Sequence, residues 1–375
     1  GKTFVALAAA ASVALADPYQ RPVVVMVPPS LKEKWPKDFA LFRERCLPPE
    51  YASRLRYGQA ERPVEFLKLL DDPSERRKQI LFVTHGAMSR ALFDKWVKLA
   101  LIQHAIAGRH GVADLRRHLA RFMPDILNMK SIARWDTSVW VELLRAQPRR
   151  WLRIMQRHGI DPEGQDRPEE ADDPVPEAVL QALDRLDTTE LYEALLQVPK
   201  RRSANLPARI RTVRKRVHEC LQRIWRDGIQ TLDLQLPLVI LDEAHHLKNR
   251  HTKLASLFHL EEAREDANTI TRGALGGVFE RMLFLTATPF QLGHEELCSV
   301  LERFSGIAWH SPFAPELARD RYHKELAELR RDLDAAQLAA LRLERAWGQM
   351  TQADLRVDDT ALPDVDAWWS RALEG

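Results

Sequence analysis

Four short apolar runs stand out along the chain: residues 23–27, 80–84, 238–241 and 282–286. Each is too short for a stable helix and each runs without polar alternation. That pattern predicts strands buried on both faces, as in a parallel sheet. Between them the spacing of apolar positions becomes helical. Residues 4–16 are rich in Ala and Leu and stop at Asp17-Pro18. Pro28-Pro29-Ser30 breaks the first strand, and Ser30 is placed to cap a helix over residues 31–45. A further helix is predicted after residue 84. Strands alternating with helices define an α/β fold with a parallel sheet flanked by helices, whose ligands bind at the strands' carboxyl ends.

The long interval between the second and third strands has a different character. It reads as helical, with Trp135, Trp140, Trp151 and Trp225 among its apolar positions. Residues 161–190 carry 11 acidic and 2 basic side chains, with four prolines between 161 and 177, and predict a flexible acidic loop. Residues 200–226 reverse the sign, with 10 Lys or Arg against the single acid Glu219. A crossover needs far less chain, so residues 96–231 are expected to form a large, mostly helical insertion. It divides the α/β unit into residues 1–95 and 232–306. The remainder, 307–375, predicts a helical C-terminal segment. There Tyr322, Leu326, Leu329, Leu333, Ala336, Ala340, Leu343 and Trp347 recur at alternating spacings of 4 and 3. That seam fits a long helix packed on its own domain or in a hairpin, with an intermolecular coiled coil as the alternative.

Composition narrows the picture modestly. Of 375 residues, 45% are hydrophobic and 29% charged, enough for a core and against global disorder. The longest apolar stretch, residues 4–15, is too short for a bilayer, and with no initiator Met before it a signal peptide is not expected. Cys46, Cys220 and Cys298 lie far apart with no CxxC spacing, which argues against a disulfide framework or a zinc module. An intracellular setting follows as an expectation, cytoplasmic if the source is bacterial. A net charge of +3 selects no partner.

Three stretches carry candidate chemistry. Gly1-Lys2-Thr3 matches the end of the phosphate loop GxxxxGK[ST] and leads into the helix that loop requires. On that reading Lys2 neutralises β- and γ-phosphates, Thr3 ligates Mg²⁺, and the helix N-terminus adds its dipole. Asp242-Glu243-Ala244-His245 follows the third strand. Asp242 is placed to hold Mg²⁺ through water, Glu243 to orient and deprotonate a water, and His245 to relay the phosphate state. Thr286-Ala287-Thr288-Pro289 ends the fourth strand, with hydroxyls able to bridge the nucleotide site and a second surface.

Taken together these residues resemble the Swi/Snf-like DNA translocases of helicase superfamily two. Residues 242–249, DEAHHLKN, follow that family's DEAHxLKN pattern. Thr286-Ala287-Thr288-Pro289-Phe290-Gln291, with Glu295-Glu296-Leu297 and Leu301, is similar to its TGTPxQN…EELxxLL stretch. Val27-Pro28-Pro29-Ser30-Leu31 with Trp35 and Phe39 is similar to its V-P-x-S-L…W…F segment, and Phe82-Val83-Thr84-His85 falls where it has a short strand and turn. The insertion and the tail after Gly306 lie outside these matches. Ala287 and His294 depart from the family's commoner Gly and Asn or Leu.

The resemblance implies a RecA-like first motor lobe that uses ATP and Mg²⁺ to track along double-stranded DNA. Pro29, Ser30, Lys32, Thr84, His85, Lys248 and Asn249 would touch the nucleic-acid backbone. Gly1, Lys2, Thr3, Asp242 and Glu243 would hold the nucleotide, and His245, Thr286, Thr288 and Gln291 would couple the two sites. It also implies an upstream half of the phosphate loop and a second lobe beyond this stretch, without which ATP hydrolysis is expected to be nearly absent. A protein partner could dock on the helical insertion, and no membrane role is expected. Two alternatives stay open. One is a strand-separating helicase on single-stranded DNA or RNA, the other a non-catalytic helical platform on an ATPase-like lobe.

Overall fold

A computed structural model of the chain describes residues 1–89, 92–128, 135–161, 173–201, 203–231, 234–244, 257, 275–286, 294–309, 316–357 and 360–374. Among them a five-stranded, all-parallel sheet runs in the order β2-β3-β1-β4-β5, with β1 at Val23–Val27, β2 at Tyr57–Ala60, β3 at Ile80–Thr84, β4 at Val239–Leu241 and β5 at Met282–Phe284. Val25 registers with Phe82 on one side and Ile240 on the other. Every residue of β1, β3 and β4 is buried. The protein therefore has an α/β fold with helices on both faces of a parallel sheet.

The pleat divides those apolar strands between two layers. Val23, Val25, Val27, Ile80, Phe82 and Ile240 face α1 (Lys2–Ala16) and α2 (Lys34–Cys46). Helix α1 presents Ala6, Leu7, Ala10, Ala11 and Ala14 as one buried stripe, and α2 adds Trp35, Phe39 and Phe42 at helical spacing. Val24, Met26, Leu81, Val83, Val239 and Leu241 point the other way, into a larger cluster.

That second layer comes mainly from the long interval between β3 and β4. Short helices α3 (Pro49–Ala52), α4 (Pro63–Asp71) and α5 (His85–Ser89) precede it. Its centre is α6 (Lys95–Ile106), which is buried nearly all round and begins where the Asp94 carboxylate accepts from Trp96 N at 2.7 Å and Val97 N at 3.3 Å. Around it lie α7 (Val112–Ala120), α8 (Met123–Leu127), α9 (Thr137–Arg145), α10 (Trp151–Arg157), α11 (Glu177–Asp184), α12 (Thr189–Leu196) and α13 (Leu206–Thr231). The described residues of 96–231 thus share one core with the sheet and cover its second face.

One strand was not anticipated, and three local expectations need correction. Strand β2 was not legible, because YGQA contains Gly58 and polar Gln59 and its burial alternates, as suits an edge strand. A Cβ at Gly58 would lie 2.8 Å from Leu69 Cδ2, so a larger residue there would have to move the end of that side chain. Ser30 caps no helix. It sits in a 3-10 turn over Pro29–Leu31, and α2 starts later, after Glu33. The acidic loop of residues 161–190 gives way to helix from Glu177 onward. There Ala178, Val179, Ala182 and Leu183 form a buried stripe and the acids point outward; residues 162–172 lie outside the described ones. Finally, β5 ends at Phe284 rather than 286.

Beyond β5 come α14 (His294–Leu301), α15 (Glu316–Gln349), a small β6–β7 hairpin (Arg356–Val357 with Thr360–Ala361) and α16 (Val365–Glu374). The base of α15 is tied down. The Tyr322 hydroxyl donates to the Leu301 carbonyl at 2.6 Å, and burial pushes that phenol up to about 12. His294 Nε2 lies 2.7 Å from Asp334 Oδ1. Past Ala336 the helix is exposed throughout, with Leu338, Leu341, Leu343 and Trp347 on the surface. The second half of the predicted seam is therefore not packed on its own domain. No described helix is long and apolar enough to cross a membrane.

A charged node closes the amino edge of the sheet. Arg21, just before β1, donates to Asp17 Oδ1 at 2.5 Å and to Glu280 Oε1 at 2.7 Å, and both carboxylates are buried. Burial works to raise the Asp17 carboxyl, but its bonds to Arg21 outweigh this and hold it below the ordinary value near 3.8. Replacing Arg21 with Met leaves buried Asp17 without its cation and Glu280 with only the more distant Arg281, 3.7 Å away, and should cost about 3 kcal/mol in urea unfolding. The lowered Asp17 value adds stability that is complete above the unfolded value near 3.8 and lost as pH falls through the lower folded one. Arg21→Met should flatten that part of the acid limb.

Candidate functional site

The strand order sets where a ligand can enter. From β1 the sheet grows to one side as β3 and β2 and to the other as β4 and β5, so the chain reverses its direction of winding between β1 and β4. Open parallel sheets bind ligands in the crevice beyond the strands' carboxyl ends at such a point. Asp242 leaves β4 there. Its N–H donates to the Met26 carbonyl at 2.9 Å, which carries the ladder with β1 one residue past the strand.

The Asp242 side chain is only 6% exposed and is held through both oxygens. Oδ2 accepts from the Trp35 indole N–H at 2.9 Å, and Oδ1 accepts from the Glu243 backbone N–H at 3.0 Å. Each oxygen keeps a further lone pair, so the carboxylate is fixed in direction without being saturated. Glu243 itself adopts a left-handed backbone, φ +53°, unusual for a residue other than glycine. Strain of this kind costs on the order of 1 kcal/mol or more and persists only where its surroundings enforce it. The following Ala244 N–H, donating to the Leu285 carbonyl at 2.8 Å, ties the turn down.

Across the crevice, α1 opens at Lys2. Lys2 Nζ lies 3.7 Å from Glu243 Oε1, so the first helical residue of the chain meets the turn after β4. Both side chains reach solvent, and such a pair contributes little to stability. What it shows is placement. A lysine, the half-buried Thr3 of the same helical turn and two carboxylates converge on one end of the sheet.

The remaining described residues singled out from the sequence share this edge. Pro29 and Ser30 are exposed in the turn after β1. Thr84 ends β3, with its hydroxyl 3.5 Å from the Glu61 carbonyl, and half-buried His85 begins α5. Thr286 lies just past β5, half-buried. Lys32 is at this edge too, but its ammonium is bonded to Glu61 Oε1 at 2.7 Å, and that carboxylate raises its pKa. His245, Lys248, Asn249, Thr288 and Gln291 lie outside the described residues.

Sequence reasoning gave no role to Trp35 or Glu61. A tryptophan in the otherwise polar stretch Lys32-Glu33-Lys34-Trp35 was the available signal, yet nothing local indicates that its N–H reaches a carboxylate more than two hundred positions away. Among the described residues no group of three or more His, Cys, Asp or Glu is placed to hold a metal ion. A divalent cation at this site would need substrate oxygens and water alongside Thr3 and Asp242. No protein-family model, curated protein or solved structure matches the chain.

Trp35→Phe keeps most of the buried ring volume but removes the donor to a buried carboxylate. Urea unfolding should show a loss of about 2 kcal/mol. In a cycle with Asp242→Asn the two changes should be strongly non-additive. Additive losses would mean that the indole acts by packing alone.

Proposed function

We propose that this chain is the ATP-binding first motor lobe, of RecA-like fold, in a DNA-dependent ATPase that translocates on double-stranded DNA, of the Swi/Snf-like kind in helicase superfamily two. The observation that carries this reading is the meeting of Lys2 with Glu243 beside the anchored Asp242, at the sheet's switch point. The sequence strings around Asp242, Thr286 and Pro28 support the same assignment independently of that geometry.

The donor set fits a magnesium nucleotide. It comprises one cation, one hydroxyl at a helix N-terminus and two carboxylates, of which one is rigidly oriented. When bound, the magnesium nucleotide supplies the phosphoanhydride and the divalent charge. In this reading Lys2 exchanges Glu243 for phosphate oxygens, with Gly1 and the α1 N-terminus beside it. Thr3 and Asp242 hold the metal, Asp242 with its direction set by Trp35. Glu243, released from Lys2, orients a water and takes its proton. Pro29, Ser30, Thr84 and His85 lie on the same edge, so a polymer held there would sit beside the nucleotide. Lys32 would first have to leave Glu61. Thr286 bridges the two regions, and His245, Thr288, Gln291, Lys248 and Asn249 join the scheme through their sequence strings.

The first experiment extends the protein through the upstream half of the phosphate loop and the second lobe that the resemblance implies, then measures binding of a fluorescent ATP analogue with Mg²⁺ and ATP turnover. Lys2→Ala should abolish binding. Glu243→Gln should keep it while lowering turnover by about a hundred-fold or more. Duplex DNA should stimulate turnover. Stimulation by single strands alone would replace this reading with the helicase one, and a folded chain that binds no nucleotide would leave only the interaction platform.

A further inference from the structure

Helix α13 separates its charges by side. Leu206, Ile210, Val213, Val217, Cys220, Leu221 and Ile224 form the buried stripe. On one flank Arg216 pairs with Glu190 and with Glu219, each at 2.8 Å, while Arg209 is held by a neutral amide, donating to Gln197 Oε1 at 2.5 Å. The other flank, at spacings of 3 and 4, carries Arg211, Arg214, His218 and Gln222. Neither Arg211 nor Arg214 makes an ion pair among the described residues. Arg214 instead donates to the Asp125 backbone carbonyl.

The second flank continues onto the start of α6. The Phe93 ring stacks on His218, with centroids 4.8 Å apart and planes 12° apart, yet Phe93 remains 55% exposed. Gln222 donates to His218 Nε2 at 2.6 Å, which holds the imidazole in the stack. Lys98 Nζ stands 5.7 Å from the Phe93 centroid. Burial lowers the Lys98 pKa, Asp94 opposes that and nearby Arg214 reinforces it, so this ammonium is kept among cations and ring without an acid bonded to it. Toward the N-terminus of α13, Arg211 and Arg214 line an open groove of about 500 Å³ with Leu206, Pro207 and Ile210; exposed Asp125 is the acid among the described lining residues.

We propose that this flank binds a single-stranded stretch of nucleic acid, with Arg211, Arg214 and Lys98 on the phosphates and an unpaired base on the free part of Phe93. The cations lie in a row along one helix, which suits a phosphodiester backbone better than a single small anion. The exposed ring, already rigid on His218, is the stacking platform that such sites add to a basic groove. This deepens the proposed function and rests on it only for the choice of polymer: the motor's substrate would carry an unpaired segment beside its duplex.

The test is fluorescence anisotropy with the full chain, without ATP, using labelled oligothymidylate, a duplex of equal length and, as competitor, polyglutamate. Oligothymidylate should bind more tightly than the duplex. Arg211→Glu with Arg214→Glu should weaken binding at least about ten-fold and reduce the slope of log affinity against log salt by about 1.4. Phe93→Ala should weaken it about ten-fold. Arg211→Glu alone should also weaken binding, whereas Arg209→Glu, an equal charge change on the opposite flank, should have little effect, and thermal melts establish that each variant is folded. Equal losses with Arg209→Glu, an unchanged Phe93→Ala, displacement by polyglutamate at equal charge, or preference for duplex would each overturn the proposal. Single-strand binding without any nucleotide binding would sink the motor reading and leave this one standing. Duplex-stimulated turnover indifferent to Arg211 and Phe93 would do the reverse.

Discussion

The structure depends on one constraint: β1, β3 and β4 are apolar on both faces, so the sheet must be covered twice. The pleat sends Val25, Phe82 and Ile240 to α1 and α2, and sends Met26, Val83 and Leu241 to the helices around α6. The second layer is contributed by a long excursion between β3 and β4. Both flat sides of the sheet are thereby closed, and its ends are what remain for ligands. At the amino end Arg21 joins Asp17 to Glu280 and seals the edge. At the carboxyl end the chain reverses its winding and leaves a crevice, with Lys2 on one wall and Asp242 and Glu243 on the other.

The long strands could be read from the sequence because burial on two sides removes polar residues altogether. Edge strand β2 could not, since its exposed positions accept Tyr57 and Gln59 and Gly58 interrupts any apolar run. Residues 177–190 misled for a related reason. Their acids dominate the composition, but helix formation follows the buried stripe of Val179, Ala182 and Leu183. Lys2, Asp242 and Glu243 were legible individually, because each borders a helix or strand with a clear pattern. Their convergence was expected through the motifs and the family resemblance, whereas the bond from Trp35 to Asp242 was not, because it depends on how α2 packs against β4. Charge on α13 gave the opposite case. The sequence shows a basic run, while only the fold shows that Glu190 of α12 pairs with Arg216 on one flank and that Arg211 and Arg214 lie on the other.

One theme connects the two surfaces. At the crevice, Asp242 is aimed by an indole and a backbone N–H; on α13, His218 is aimed by Gln222 and in turn supports Phe93. In both places a group able to meet a ligand is held by a neighbour that does not meet it. Orientation is settled before anything binds, so less conformational entropy remains to be lost on association.

The long helix α15 has a mechanical consequence. Its 34 residues at 1.5 Å each make a rod of about 50 Å. That rod is gripped through Tyr322 near its base and through Asp334 just past its middle, and is exposed past Ala336. Its second half therefore has the geometry of a lever arm. A tilt of about 5° at the Asp334 grip displaces the tip, about 22 Å beyond it, by about 2 Å, enough to break a hydrogen bond. Whatever stands at its far end, beside Trp347 and Trp369, receives an enlarged copy of small rearrangements around α14.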